Sequence, residues 1–226
     1  MKQYLLFDLD GTLTDPMVGI TSSVQYALEK FGVRVRYLKE LIPFIGPPLA
    51  ESFQKFYGFS KEDAERAIQY YREYYAPKGI FENEVYEGIQ EMLAHLTEAG
   101  FTLLVATSKP TVFAKKVLKY FGMEDYFSFV GGSELDGSRT KKAEVISYIL
   151  KTCGIRAKEA IMIGDRRHDI EGGQACGLES VGVLYGYGTE QELTAAGADH
   201  IIRTVAELED YLRNQGENPT KLTWYD

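Results

Sequence analysis

The run Tyr4 to Asp15 (YLLFDLDGTLTD) restricts the fold of this chain more than any other stretch. Tyr4, Leu5, Leu6 and Phe7 form a short apolar segment with β-preferring residues at its ends, and two carboxylates and a glycine follow at once. That order predicts a buried parallel strand that stops at the edge of a sheet. Asp8 and Asp10 stand two apart, so an extended backbone sends both side chains to one face. Gly11 lets the chain turn sharply, and Thr12 and Thr14 offer hydroxyls to the backbone of the turn. Two like charges held so close repel unless a cation lies between them or one keeps its proton.

Beyond Pro16 the periodicity becomes helical. Met17, Ile20, Val24, Ala27, Leu28 and Phe31 recur at helical spacing and Gly32 closes the run. Arg34 to Ile42 is mixed, and Pro43 to Pro48 (PFIGPP) reads as a loop. A second helix is predicted from Leu49 to Tyr57, before Gly58. A third is capped by Ser60, with Asp63 three residues on, and carries Tyr70, Tyr71, Tyr74 and Tyr75 towards Pro77. The spacing of those tyrosines suits packing on neighbouring helices. After Val85 strands and helices alternate. Strands are predicted at 101–106, 127–130, 160–163, 180–184 and 200–202, and helices at 88–99, 111–121, 142–153, 169–176, 191–196 and 205–214. Helices of this length between strands imply a doubly wound parallel α/β sheet covered on both faces. The expected organisation is a core of residues 1–15 and 85–215, an inserted helical unit at 16–84 hinged near Asp15-Pro16 and Phe81 to Tyr86, and a polar tail at 216–226.

Composition narrows the function classes. A formal net charge of −8 in 226 residues, with no longer basic run than Arg166-Arg167 or Lys141-Lys142, argues against a nucleic-acid partner. No stretch is apolar enough to span a bilayer, and carboxylates interrupt the first apolar run, so no signal segment and no membrane partner are expected. Cys153 and Cys176 are isolated in helix-like contexts and are expected to be buried free thiols, which suits a cytoplasmic location.

Open parallel sheets bind ligands outside the C-terminal ends of their strands, at the switch in strand order. Four polar clusters are predicted at such ends: Asp8 with Asp10, Thr107 with Ser108, a lysine at 141 or 142, and Asp165 with Asp169. Thr107 and Ser108 also suit the N-cap of the following helix. His168 is expected to be an exposed helical histidine.

Strand followed by Asp8-Leu9-Asp10-Gly11-Thr12 resembles the first motif of the haloacid dehalogenase-like (HAD) hydrolases, in the branch of the phosphoglycolate phosphatases. Ile163-Gly164-Asp165-Arg166-Arg167-His168-Asp169 is similar to that family's GDxxxD motif, and Thr107 closes a strand as in its second motif. The resemblance implies Asp8 as the nucleophile that forms an aspartyl-phosphate, and Asp10 as general acid and base. It implies Thr107 and Ser108 as ligands of the phosphoryl oxygens, and a lysine that neutralises charge. Lys142 is favoured because a small residue starting a helix follows it; Lys141 is the alternative. The insert resembles the family's cap, with the loop Ile45 to Leu49 and the helix carrying Lys55 as the expected specificity element.

A carboxylate pair cannot approach a phosphate dianion unaided, since charges about 4 Å apart repel by several kcal/mol at an effective dielectric near 20. A hard divalent cation removes that barrier, and Mg²⁺ fits because it takes few carboxylates and keeps water and a phosphate oxygen. Its expected ligands are Asp8, Asp165, Asp169 directly or through water, and Asp10 through its carbonyl. The reading is a Mg²⁺-dependent phosphatase of a small phosphorylated metabolite. Its rivals are a 5'-nucleotidase or sugar phosphomutase on the same core, and a receiver-like phospho-Asp signalling module.

Overall fold

The computed structural model of the protein describes residues 2–216. In chain order the elements are β1 (Tyr4–Phe7), β2 (Thr14–Asp15), α1 (Met17–Glu29), α2 (Leu49–Tyr57), α3 (Lys61–Tyr75), β3 (Glu84–Val85), α4 (Ile89–Glu98), β4 (Thr102–Pro110), α5 (Thr111–Tyr120), β5 (Phe127–Ser133), α6 (Lys142–Cys153), β6 (Ala160–Gly164), α7 (Arg167–Ala175), β7 (Glu179–Val183), α8 (Glu190–Ala195), β8 (His200–Ile202) and α9 (Val205–Gly216).

Six strands form one sheet in the order β5-β4-β1-β6-β7-β8, and every pairing is parallel. β1 is therefore central. Its neighbours reach it by connections that run to opposite sides, which puts the switch in strand order beside it. Along β1, Leu5 and Phe7 enter the core on one face, with Val105, Ile161 and Ile163. Leu6 points to the other face, with Leu104, Met162, Ile146 and Ile149. The near-continuous apolar runs of the sequence are the consequence of burial on both faces.

The helical insert α1 to α3 lies between β2 and β3, which pair antiparallel through Thr14↔Val85 and Asp15↔Glu84. These strands are two residues long and leave no periodic trace, and the sequence predicts only a hinge there. The α3 cap is as expected, with the Ser60 hydroxyl accepting the Asp63 N–H at 3.0 Å. Tyr71 and Tyr75 are buried, as helix packing requires.

Several expectations are corrected. Leu38–Phe44 forms a 3₁₀ helix that contains Pro43, where mixed sequence and loop were expected. β4 runs on through Thr107, Ser108 and Lys109 to Pro110, so those residues extend a strand and Pro110 takes the helix N-cap position. Cys153 is exposed, because the last turn of its helix faces solvent, and Cys176 is half-buried against the core beside α6; both are free. His168 is half-buried, not exposed. Gly216 belongs to α9, and residues 217–226 of the expected tail lie outside the described residues.

Candidate active site

Asp8 follows the last residue of β1, and its N–H still donates to Ile163 O of β6 at 2.9 Å, so the nucleophile candidate sits on the rigid ladder. The chain then folds back on itself. Leu13 and Thr14 donate to Leu9 O at 2.9 and 3.0 Å, and Gly11 donates to Thr14 O at 2.7 Å. Gly11 has φ +86°, and a Cβ there would lie 2.2 Å from Asp165 Oδ2, which explains why the turn needs glycine.

Lys142 joins the tip of β1, strand β4 and the first turn of α7. Its ammonium lies 2.9 Å from Asp8 Oδ1 and 2.7 Å from Asp169 Oδ1, and donates to Ala106 O at 2.9 Å. Lys141 is exposed, so of the two lysines it is Lys142 that reaches the cluster. Asp165 is fully buried beyond β6; its Oδ2 accepts the Tyr187 N–H at 2.8 Å, and its Oδ1 accepts the Thr12 hydroxyl at 3.4 Å. Asp169 Oδ2 accepts the Arg166 N–H at 3.0 Å. Gly164 lacks a Cβ for a plain reason: one there would lie 2.2 Å from Asp169 Cγ.

One carboxylate oxygen each from Asp8, Asp165 and Asp169 lies within 4.8 Å of the others, and all three residues are buried. Three carboxylates against one ammonium leave two negative charges uncompensated, which suits a divalent cation and hard oxygen donors. Without one, burial pushes the Asp165 carboxyl well above its usual range, and the Asp169 and Asp8 charges add to this. Asp169 is pushed up to about 6 by burial, with Lys142 opposing and Asp8 reinforcing. Burial disfavours the Lys142 ammonium, but Asp169 and Asp8 outweigh it and hold its pKa above the ordinary lysine range.

Asp10 turns to a different partner. Its carboxylate pairs with the Lys109 ammonium, and both residues are buried. Burial raises the Asp10 carboxyl while Lys109 opposes it. The side chain thus stands apart from the triad, leaving its backbone carbonyl as its only expected contact with a metal. Thr107 is buried at the end of the same strand, and its hydroxyl accepts the Lys109 N–H at 3.2 Å. Ser108 is half-buried and its carbonyl accepts the Ser133 hydroxyl at 2.8 Å.

A cavity of about 620 Å³ opens over these groups, with Asp8, Asp10, Thr107, Ser108 and Lys109 on the sheet side. The insert supplies the facing wall, including Gly46, Pro47, Leu49, Tyr71 and Tyr75. The loop from Ile45 therefore does border the cavity, whereas Lys55 is exposed on the far side of its helix and lines nothing there. Two side-chain hydrogen bonds help to tie the insert down. Arg166 Nη1 donates to Ile45 O at 2.6 Å, and Arg72 Nη1 donates to Leu135 O at 3.0 Å. No role at the site is predicted from the sequence for Lys109, Arg166 or Arg72, and only a packing role for Tyr75. The only available signal was position, since Lys109 and Arg166 stand directly beside motif residues.

The family description "Haloacid dehalogenase-like hydrolase" matches residues 5–183. The chain belongs to this family. A 5'-nucleotidase of Pseudomonas aeruginosa is 46% identical over 210 residues, covering 93% of this chain and 95% of its own. The tyrosine-protein kinase PtkA of Mycobacterium tuberculosis is 40% identical over 186 residues, 82% of this chain and 63% of its own. A phosphoglycolate phosphatase of Vibrio parahaemolyticus is 26% identical over 212 residues, 90% and 93% of the two chains. The crystal structure of a predicted phosphatase from Clostridium acetobutylicum superposes with a TM-score of 0.94 at 48% identity, covering 95% of this chain and 99% of that one. This HAD hydrolase, with its phosphatase-named relatives, is a phosphoric monoester hydrolase.

Proposed function

We propose that the protein is a Mg²⁺-dependent phosphatase of small phosphorylated metabolites that works through an aspartyl-phosphate on Asp8. The observation that carries this reading is the burial of Asp8, Asp165 and Asp169 in one cluster at the switch in strand order, with one ammonium bridging Asp8 and Asp169. Asp8, Asp165, Asp169 and the Asp10 carbonyl would hold Mg²⁺, which when bound supplies positive charge for the phosphoryl oxygens. Lys142 screens the Asp8 carboxylate from the incoming dianion and keeps it oriented. Thr107, Ser108 and Lys142 bind phosphoryl oxygens. Asp8 attacks phosphorus, Asp10 protonates the departing oxygen, and Asp10 then takes a proton from the water that hydrolyses the aspartyl-phosphate. The helical insert acts as the cap: seated over the cavity it excludes bulk water and contacts the leaving group.

The cavity favours a substrate with more body than glycolate. About 620 Å³ falls in the range of pockets that enclose a drug-sized ligand, and aromatic walls from Tyr71, Tyr75 and Phe113 suit a ring. A nucleoside 5'-monophosphate meets both features, and the named activity of the P. aeruginosa relative supports it over phosphoglycolate and over a sugar phosphate in a mutase. Membership in a hydrolase family sets aside the receiver-like module.

The test is phosphate release from nucleoside 5'-monophosphates, sugar phosphates and phosphoglycolate, with Mg²⁺ and with chelator. Mg²⁺-dependent release that disappears in Asp8→Asn protein is expected. Substantial turnover by that variant would falsify the nucleophile assignment, and turnover in chelator would remove the metal.

A further inference from the structure

We infer that Lys109, braced by Tyr75, faces the leaving-group oxygen and stabilises the charge that develops there, so that this site uses one lysine at each end of the reaction. The inference rests on the phosphatase reading above. Lys142 serves the nucleophile end, since its contacts are Asp8, Asp169 and Ala106 O. Lys109 contacts neither Asp8 nor Asp169; its partner is Asp10, the group assigned to the departing oxygen. The two ammonium groups are thus divided between the two carboxylates of the DxD pair.

Four observations set Lys109 apart from a surface lysine. It is buried and lines the cavity beside Asp8 and Asp10. A buried ion pair usually adds little stability over an apolar pair of similar size, so packing alone gives no reason to keep one there. Its backbone is fixed: the N–H donates to the Thr107 hydroxyl, and Lys109 O presses on Gly132 so closely that a Cβ there would lie at 2.4 Å. Its ammonium lies 5.3 Å from the centre of the Tyr75 ring, in cation–π range, and Tyr75 comes from α3 of the insert. That ring is itself held, stacked on Tyr71 at 5.1 Å and edge-on to Phe113 at 5.5 Å.

An ammonium has three N–H donors. The two oxygens of the Asp10 carboxylate take two of them and the π face of Tyr75 faces the third, so Lys109 acts on the leaving oxygen through its charge and through Asp10. Tyr75 also presents a buried hydroxyl with no hydrogen-bond partner. In the step itself, the bond from Asp8 to phosphorus forms as the bond from phosphorus to the leaving oxygen breaks. The bonding pair departs on that oxygen, and Asp10, which enters this step as the neutral acid and leaves it as the carboxylate paired with Lys109, delivers its proton to it. Lys109 holds the Asp10 carboxyl beside the oxygen and offsets the charge carried before the proton arrives. Because Tyr75 belongs to the insert, this setting is complete only when the insert covers the sheet end.

The experiment compares kcat/KM for 4-nitrophenyl phosphate, whose leaving group departs readily as an anion, with phenyl phosphate and adenosine 5'-monophosphate, whose leaving oxygens are more basic. Lys109→Met should lose at least about tenfold on the two demanding esters and no more than about threefold on 4-nitrophenyl phosphate. Tyr75→Leu should shift the same ratio in the same direction. The ratio is taken within one preparation, so partial unfolding does not change it. Equal losses on all three esters, or none, would overturn the role of Lys109. Wild-type protein that hydrolyses none of them would bring down the phosphatase reading and this inference with it, a result distinct from a uniform loss in the variants.

Discussion

The guanidinium of Arg166 donates to the backbone carbonyl of Ile45 at 2.6 Å, joining the loop that carries Asp165 to the insert that roofs the cavity. Gly46 makes this possible: its φ is +101°, and a Cβ there would lie 2.9 Å from Arg166 Cγ. Glu192 steadies the same side chain through Arg166 Nε at 3.0 Å. A charge-assisted hydrogen bond of this kind contributes about 1.5–3 kcal/mol. Arg166→Ala should therefore loosen the insert. Amide hydrogen exchange across residues 45–49 should speed up, and KM should rise by roughly tenfold, the equivalent of about 1.4 kcal/mol. Unaltered exchange in that segment would show that the contact does not hold the insert.

Lys142→Met should be severely destabilising in metal-free protein. The substitution leaves Asp8, Asp165 and Asp169 buried with no cation among them. Breaking a buried ion pair from one side costs about 3–5 kcal/mol. Combining it with Asp8→Asn should restore part of the loss, because a neutral amide tolerates the missing ammonium. Urea denaturation of the single and double variants in chelator measures both; a single-variant loss under about 1 kcal/mol would contradict the charge count.

The triad also ties stability to pH. Asp165 and Asp169 both titrate above their ordinary range in the metal-free fold, Asp169 near 6. The folded state then holds protons that the unfolded chain has released. Their contribution is present below the ordinary carboxylate range and is lost as pH rises towards and through the folded values. Mg²⁺ competes with those protons, so the rise in Tm on adding Mg²⁺ should be larger at about pH 7.5 than at about pH 5. A Mg²⁺ effect independent of pH would separate the metal from these two carboxylates.

Gly164→Ala tests the packing under Asp169. The added methyl would meet Asp169 Cγ at 2.2 Å in a fully buried place. Overpacking costs typically about 1–3 kcal/mol, and 1 kcal/mol shifts Tm by about 2–4 °C in a chain of this size. Tm should fall by several degrees, and the Mg²⁺ concentration for half-maximal activity should rise because Asp169 is displaced. An unchanged Tm would mean that Asp169 moves aside freely.

The alternation of apolar strands and amphipathic helices after Val85 was readable because burial on two faces and on one face leave different periodicities. Ser60 and Gly58 were readable as helix ends because capping is local chemistry, and each stands where expected. The pairing of β2 with β3 was not, since two-residue strands carry no period. The extension of β4 through Lys109 was hidden for another reason: Thr-Ser-Lys-Pro is good turn chemistry, and contacts with β5, the Pro110↔Ser133 pairing and the Ser133 hydroxyl on Ser108 O, hold it extended. Cys153 shows the opposite error, where an apolar context suggested burial but the helix end faces solvent.

What the sequence alone determined is the sheet, its helices, the strand tips at which Asp8 and Asp165 sit and the helix start that carries Asp169, because each depends on neighbours within a few residues. Only the tertiary structure decided which groups meet there. Lys109 pairs with Asp10 across 99 residues, and Arg166 reaches Ile45 across 121. Contacts of that span are set by how the sheet closes and where the insert lands, and a one-dimensional pattern holds no record of either.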